Sequence, residues 1–296
     1  MNPTYIQKAI EKVLGKQTHL YGLHHVGGGF INQTYKAITS MGTYFIKVHA
    51  SDGFTKLFEK EIHGLQILKQ ANSIAIVDKV GVCEYEKFSF LILEWVETAP
   101  QHPHFWSILG KGIAKMHQCK NRFFGFSEDN YLGSLVQPNN RSSSWGQFFV
   151  KHRIMPQVKI AIENNYFTNH TIDLFEKYYS VAETIFPLED PSLLHGDLWL
   201  GNIMTNAEGL PCLVDPAAYY GHREMDIAMT YFVGNFEPEF YEAYHSVYPL
   251  KPDWESRKDF GLMYYQLAHL NLFGDSYLPM VEANLNRWVG EKKMTR

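Results

Sequence analysis

A chain of 296 residues is long for one hydrophobic core and short for three, so one or two closely packed domains are expected. The hydrophobic share is 45%, with 20 Phe, 18 Tyr and 6 Trp, which is enough apolar surface to offset chain entropy and excludes disordered, collagen-like and coiled-coil chains. Lys and Arg number 27 against 31 Asp and Glu, a net charge of −4; no whole-molecule basic field can hold nucleic acid or an anionic membrane, so neither is an expected partner and any anion must be held locally.

Residues 1–15 lack the charged-then-apolar pattern of a secretion signal and read as an amphipathic helix with Ile6, Ile10 and Leu14 on one face. From residue 20 to about 97 strands dominate, with HLYGLHHV, TYKAI and TYFIKVHA set around turn signals such as Ser40-Met41-Gly42. Residues 54–70 change period: Leu57, Phe58, Glu61, Leu65 and Leu68 recur at three- and four-residue spacing, which predicts one helix. KVGVCEYE and FSFLILEWVE predict two more strands, the second apolar enough for the middle of the sheet. After Thr98-Ala99-Pro100 helical patterns take over, so the chain divides into an expected N-terminal lobe, residues 1–97, and a C-terminal lobe, residues 98–296.

In the second lobe a helix is expected from about residue 103 through Met116, and others over 145–164, 171–184 and most of 224–289. Residues 123–144, rich in Asn, Ser, Gly and Pro, form a long loop expected to be functional or tightly packed. Residues 193–215 are a strand-and-loop island among helices. The expected class is α+β, a five-stranded antiparallel sheet with one helix followed by a larger, mainly helical lobe, with a cleft between them of the kind nucleotides occupy. No stretch approaches the roughly 18 uninterrupted apolar residues of a membrane span. Cys83, Cys119 and Cys212 form no CxxC pair, which fits a reducing cytoplasm better than a disulfide scaffold or zinc site.

The strongest chemical signal is LLHGDLWLGNIM at 193–204, followed by CLVDPAAYYGH at 212–222. Asp197 and Asn202 stand five positions apart, and Asp215 follows thirteen later across a hairpin predicted to turn at Asn206-Ala207-Glu208-Gly209. This is the order of kinase catalytic and metal-binding loops. Transfer of a γ-phosphoryl group needs a carboxylate to orient or deprotonate the attacking hydroxyl, here Asp197. It also needs hard oxygen ligands for Mg2+, here Asn202 and Asp215, with ATP phosphates completing the shell. A lone Asp or Asn in a loop more often caps a turn; three at this spacing, flanked by apolar strands, point to catalysis.

Gly27-Gly28-Gly29 joins the first two strands and lets backbone approach phosphate, although glycines between strands usually only turn the chain. In FIKV, Lys47 sits inside an apolar strand, where it costs stability unless an anion pairs with it. An ATP phosphate and Glu61, on the inward stripe of the 54–70 helix, are the anions available. Glu94 and Val96 end a strand at the lobe boundary and are assigned to the adenine edge by position alone. Trp199 is either a core anchor or an aromatic wall for the acceptor. His195 is expected to brace its loop, and Asp226 to cap the helix it opens. His24, His25, His102 and His104 lack the carboxylate company of a metal site.

These motifs resemble the fructosamine kinases, the ketosamine-3-kinase family within the aminoglycoside-phosphotransferase-like kinases. The HGD-x-x-x-x-N pattern from His195 to Asn202 is shared with the larger group. The tryptophan of HGDLW and the DPA-x-YYGHRE stretch at 215–224 are more particular to fructosamine kinases. GGGFINQTY, FGFSEDNYLGSLVQPN, SWGQFFVKHRIMPQ, FYEAYHSVYPL and LAHLNLFGDSY carry the resemblance along nearly the whole chain.

The resemblance implies a two-lobed, protein-kinase-like fold and ATP-dependent phosphorylation of the 3-hydroxyl of a ketosamine, the Amadori product of a sugar and an amine. The phosphorylated product sheds phosphate and regenerates the amine, a deglycation repair. The resemblance further implies ATP and Mg2+ as cofactors, Lys47 and Glu61 as the ATP-positioning pair, Asp197 as the catalytic aspartate, and Asn202 and Asp215 as metal ligands; Trp199 and His222 are the residues assigned toward the acceptor. The acceptor is expected to be a small ketosamine or a glycated amine on protein, and the enzyme a cytoplasmic monomer. Phe30 stands where some members carry a cysteine that links dimers, and Leu200 where Ser or Gly is usual. The alternatives are a kinase of the same fold for an aminoglycoside, choline or an amino alcohol, and a nucleotide-binding pseudokinase, which the presence of all five ATP and metal positions disfavours.

Overall fold

The computed structural model describes residues 1–27, 32–50, 54–234 and 236–290. Strands β1 (Leu20–His25), β2 (Gln33–Thr39), β3 (Gly42–His49), β4 (Ala75–Ile76), β5 (Lys79–Tyr85) and β6 (Phe88–Glu94) open the chain with two helices, α1 (Pro3–Leu14) and α2 (Thr55–Gln70). All but β4 form an antiparallel sheet in the order β1-β2-β3-β6-β5. The middle strand is therefore β3, and β6, expected at the centre, lies beside it. Its unbroken apolar run follows from coverage of both faces: Phe90 and Ile92 join a core with α1, while Leu91 and Leu93 join one with α2.

Helix α1 starts on an Asn2 side chain that accepts the Thr4 N–H at 3.0 Å, and it buries Ile6, Ala9 and Ile10 on the sheet. Helix α2 covers the opposite face with Phe58, Ile62, Leu65 and Leu68, the three- and four-residue spacing read from sequence. The same alternation fixes β3: Tyr44, Ile46 and Val48 point toward α1, so Phe45 and Lys47 face α2.

The two-residue β4 has no sequence signature and pairs in parallel with β11 (Pro211–Leu213), which forms a hairpin with β10 (Ile203–Thr205). This small sheet and a continuous core tie the halves together, since Phe58, Leu65 and Leu91 share one cluster with Leu109, Ile113, Leu213, Ile227 and Phe240. Helix α3 (Phe105–His117) lies along α8 (Pro238–Val247), and Gly110 permits the approach, because a Cβ there would stand 2.3 Å from the Phe240 carbonyl oxygen.

The 123–144 loop holds a short hairpin of β7 (Asn130–Leu132) and β8 (Leu135–Gln137) and is tightly packed. The helix expected over 145–164 is interrupted: α4 (Trp145–Phe149) passes through a π-turn, Val150–Ile154, into α5 (Met155–Glu163). Pro156 has no N–H for the His152 carbonyl one turn back, and Arg153 takes that carbonyl at 2.9 Å. Its guanidinium also binds the Pro138 carbonyl at 2.6 Å and Asn139 Oδ1 at 2.7 Å, which anchors the long loop. Helices α6 (Asn169–Ile185), α7 (Glu224–Met229), α9 (Trp254–Phe273) and α10 (Leu278–Val289) complete the C-terminal half. Among the described residues no helix is long and apolar enough to cross a membrane, and the three cysteines are free.

Candidate active site

Two buried strands, β9 (Ser192–Leu194) and β12 (Tyr219–Gly221), pair antiparallel and fix both ends of the 195–218 region. Gly196 follows β9 with φ +83, and a Cβ on it would stand 2.1 Å from the Ala217 carbonyl oxygen, so only glycine fits this crossing. The chain then makes a 3₁₀ turn at Leu200–Asn202 and enters the β10–β11 hairpin, whose turn Asn206 holds by accepting the Glu208 and Leu210 N–H groups at 3.0 and 2.8 Å.

This path brings Asn202 against both acidic residues. Its Nδ2 donates to the Asp197 carbonyl and carboxylate, each at 2.9 Å, and reaches the Asp215 carbonyl at 3.4 Å. With Nδ2 spent on these partners, Oδ1 is the atom left to face a cation. Asp215 sits at φ +53, left-handed backbone that Asp tolerates better than most side chains.

Across from this loop, Lys47 is 6% exposed and donates to Glu61 Oε1 at 2.9 Å and to the Asp215 carboxylate. Burial works to lower the Lys47 pKa, but the Asp215 and Glu61 charges prevail and hold the amine charged, above its ordinary value. Burial pushes Glu61 up to about 7 in spite of Lys47, because Lys47 is shared with Asp215 and the second carboxylate repels the first. Asp197 is likewise raised to about 7, chiefly by burial and further by Asp215, while hydrogen bonds from Asn202 and Trp199 pull the other way. Asp197, Asn202, Asp215, Lys47 and Glu61 thus form one connected set.

His195 braces the loop as expected: Nε2 donates to the Val214 carbonyl at 2.9 Å, Nδ1 accepts the Asp197 N–H at 3.3 Å, and burial holds the ring below its usual pKa. Asp226 does something the sequence did not disclose. Instead of capping its own helix, it is fully buried and accepts the His195 and Gly196 N–H groups at 2.7 and 2.8 Å, which ties the catalytic loop to α7.

A sequence model described as fructosamine kinase matches residues 2–291. The chain belongs to the fructosamine kinase family. A protein of Enterococcus faecium named "Probable ketoamine kinase" is 38% identical over 89% of this chain and 94% of its own length. The crystal structure of a candidate fructosamine-3-kinase from Haemophilus somnus superposes with a TM-score of 0.86 at 27% identity, covering 96% of each chain. The aminoglycoside phosphotransferase APH(4)-Ia, in a thermostable form, matches with a TM-score of 0.65 at 14% identity over 99% of this chain and all of its own, and shares the fold. The two-lobed, protein-kinase-like α+β architecture is therefore that of this fructosamine kinase.

A magnesium ion suits the donor set. Asn202 Oδ1 and the Asp215 carboxylate, 41% exposed, are hard oxygen donors in a site where Asp215 and Glu61 share one ammonium. Among the described residues no cluster of three His, Cys, Asp or Glu side chains could bind a metal unaided.

The remaining predicted residues fare unevenly. Trp199 is half-buried, packed over Gly201 and against the large C-terminal core, with part of its ring open. His222 is a correction: it lies fully buried between Trp145 and Phe186, with Nε2 on the Pro187 carbonyl at 3.2 Å and Nδ1 accepting the Glu224 N–H at 3.4 Å, so no ring nitrogen is left for an acceptor. At the strand end Glu94 gives its N–H to the Asp78 carbonyl at 2.9 Å, whereas Val96 N–H has no bond among the described residues. Gly27 has open space around it; Gly28, Gly29 and Phe30 lie outside the described residues.

The polar residues Asn130, Gln137 and Asn139 of the 123–144 loop are turned inward. Asn130 and Gln137 donate to the Ala218 and Ala217 carbonyls at 2.8 and 3.1 Å, and Glu128 binds Lys60 and His63 of α2. The loop is a strap between the two segments that carry Glu61 and Asp215.

Proposed function

We propose that this fructosamine kinase family member is an ATP-dependent ketosamine kinase that phosphorylates the 3-hydroxyl of a fructosamine- or ribulosamine-type Amadori product. The connected set of Asp197, Asn202, Asp215, Lys47 and Glu61 supports this reading most directly, in a chain matched by the family over residues 2–291. Residues 1–97 serve as the ATP-positioning lobe and 98–296 as the catalytic and acceptor-binding lobe. Lys47, held by Glu61, moves from Asp215 onto the ATP phosphates, and Val96 N–H with the Glu94 strand end receives the adenine edge. Asp197 accepts the proton of the attacking hydroxyl as its oxygen bonds to the γ-phosphorus and the bond to ADP breaks. Its raised pKa places it near neutrality, where a base both accepts and releases a proton readily. Asn202 Oδ1 and Asp215 would hold Mg2+, which would supply charge neutralisation for the transferring phosphoryl group.

The acceptor class rests on the names carried by the relatives, ketoamine kinase and fructosamine-3-kinase. We place the enzyme in the cytoplasm, where glycated amines are its substrates and deglycation its role. The test is ADP release with fructosyl-lysine, ribulosyl-lysine, choline and an aminoglycoside in parallel. Turnover confined to the ketosamines, lost in Asp197→Ala, is the expected result. Absence of turnover with every ketosamine, or activity surviving in Asp197→Ala, would sink the proposal.

A further inference from the structure

The loop that carries Asp197 is held from behind by a chain of fully buried polar groups. Asp226 Oδ2 accepts the His195 N–H at 2.7 Å and Oδ1 accepts the Gly196 N–H at 2.8 Å. His117, the last residue of α3, meets the same Oδ2 through Nε2 at 3.1 Å, and its Nδ1 meets Tyr244 Oη of α8 at 2.8 Å. Arg223 Nη1 reaches Tyr244 Oη at 3.4 Å while the guanidinium is clamped by Glu189 at 2.7 and 2.8 Å. His117 is 0% exposed, so its ring is out of contact with bulk water.

One proton arrangement satisfies every group. Asp226 is a carboxylate facing two N–H donors, so the nitrogen of His117 that meets it must also be a donor, which puts the imidazole proton on Nε2. Nδ1 is then an acceptor and Tyr244 must give it the hydroxyl proton, which leaves Tyr244 Oη to accept from Arg223. The order Arg223 to Tyr244 to His117 to Asp226 to the two loop amides is thus directional, and its far end grips consecutive peptides just before Asp197. Gly196 between them has no side chain to restrict rotation; Tyr265 Oη holds its carbonyl at 3.2 Å, and Asp226 holds its N–H. If Asp226 turns, the peptide that aims Asp197 turns with it.

We propose that His117 and Tyr244 are positioning residues for phosphoryl transfer: through Asp226 they fix the orientation of the 195–197 backbone, and so couple the α3–α8 pair to the catalytic aspartate. The proposal rests on the role given to Asp197 above. It predicts an effect on turnover that exceeds any effect on nucleotide binding, since Lys47, Asn202 and Asp215 make no contact with this chain.

The experiment uses the full-length protein with ATP and a ketosamine, measuring kcat, KM for ATP, thermal midpoint and amide hydrogen exchange of residues 193–198. Tyr244→Phe keeps the ring, which packs edge-on against His117 at 5.5 Å, and removes only the hydroxyl. It should lower kcat about tenfold with KM for ATP unchanged, and speed exchange at His195 and Gly196. His117→Leu should cost about a hundredfold in kcat, and His117→Gln, which restores an N–H toward Asp226, should recover most of it. Leu109→Ala removes apolar packing from α3 two turns before His117, and should lower the thermal midpoint while leaving kcat intact. The proposal is overturned if Tyr244→Phe keeps full kcat and native exchange, or if Leu109→Ala loses as much kcat at equal loss of stability. Should His117→Leu fail to fold, Tyr244→Phe decides alone. Asp197→Ala separates the two claims: if it remains active the kinase assignment fails, whereas an inactive Asp197→Ala beside a fully active Tyr244→Phe refutes only the positioning role.

Discussion

Replacing Lys47 by Met tests whether the lysine is held for catalysis at the expense of an otherwise apolar sheet face. Its side chain is 8% exposed and that of Glu61 11%, so the substitution leaves Glu61 buried without its cation. Breaking such a buried pair costs about 3–5 kcal/mol. The low end applies, because Asp215, the other partner, is 41% exposed and regains water. A loss of about 3 kcal/mol corresponds to a fall of roughly 6 °C in thermal midpoint for a chain of this size. Adding Glu61→Gln removes the stranded charge, so Lys47→Met/Glu61→Gln should recover most of that stability. Activity should not follow: both variants should show kcat/KM reduced by about a thousandfold, because ATP phosphates lose their positioned cation. Differential scanning calorimetry and steady-state kinetics on the wild type, both single variants and the double variant close the cycle. A double variant as unstable as Lys47→Met, or one in which activity returns with stability, would refute the reasoning.

Asp197→Ala should lower kcat by about a thousandfold with little change in KM for ATP, as removal of a base requires, measured by coupled ADP release. ATP should bind at least roughly tenfold more weakly when divalent cations are chelated, since its phosphates then face Asp215 and Asp197 directly; calorimetric titration with and without Mg2+ checks this, and equal affinities would contradict the metal assignment. Burial holds His222 below the ordinary imidazole pKa, while Glu224 and Glu189 pull the other way. The unfolded chain therefore takes up a proton near pH 6.5 that the folded chain refuses, and stability falls as the pH drops below that value, by up to about 1.4 kcal/mol per pH unit. His222→Gln, which cannot titrate, should lack this component, so melting curves between pH 7.5 and 5 should show the wild type losing stability faster than the variant.

What the sequence disclosed of this fold depended on how locally each feature is encoded. Helices α1 and α2 were legible because their buried stripes, Ile6 with Ile10 and Phe58 with Leu65 and Leu68, recur with the helical period. The catalytic set was legible because Asp197, Asn202 and Asp215 share one loop and hairpin, and Lys47 stood out as a charge in an apolar strand. Asp226 was misread because its donors lie some thirty positions upstream, at His195 and Gly196, and no spacing rule spans a crossing between a loop and a later helix. In the 123–144 loop, tightly packed as one of the two expectations had it, the direction of each polar side chain was not legible for a related reason. Asn and Gln look the same in a sequence whether they face water or bind buried carbonyls, and here Asn130 and Gln137 do the latter. Strand β4 was too short to have a period, and the π-turn depends on Arg153 finding the carbonyl that Pro156 leaves free.

The net charge of −4 gives the whole molecule no attraction for a polyphosphate, and the site itself is more acidic still. Asp215 and Glu61 share one ammonium, Asp197 is joined to Asp215 through Asn202, and burial raises both Asp197 and Glu61 to about 7. A site organised only to bind ATP would do better with a second lysine than with a surplus of carboxylates. The surplus makes sense if a divalent cation arrives with the nucleotide: it would neutralise the phosphates and draw Asp215 away from Lys47. That exchange frees Lys47 for phosphate and leaves Asp197 as the remaining acidic group able to receive a proton. The acidity that looks unsuited to an anionic substrate would therefore make nucleotide binding depend on a metal, and would keep a base available beside it.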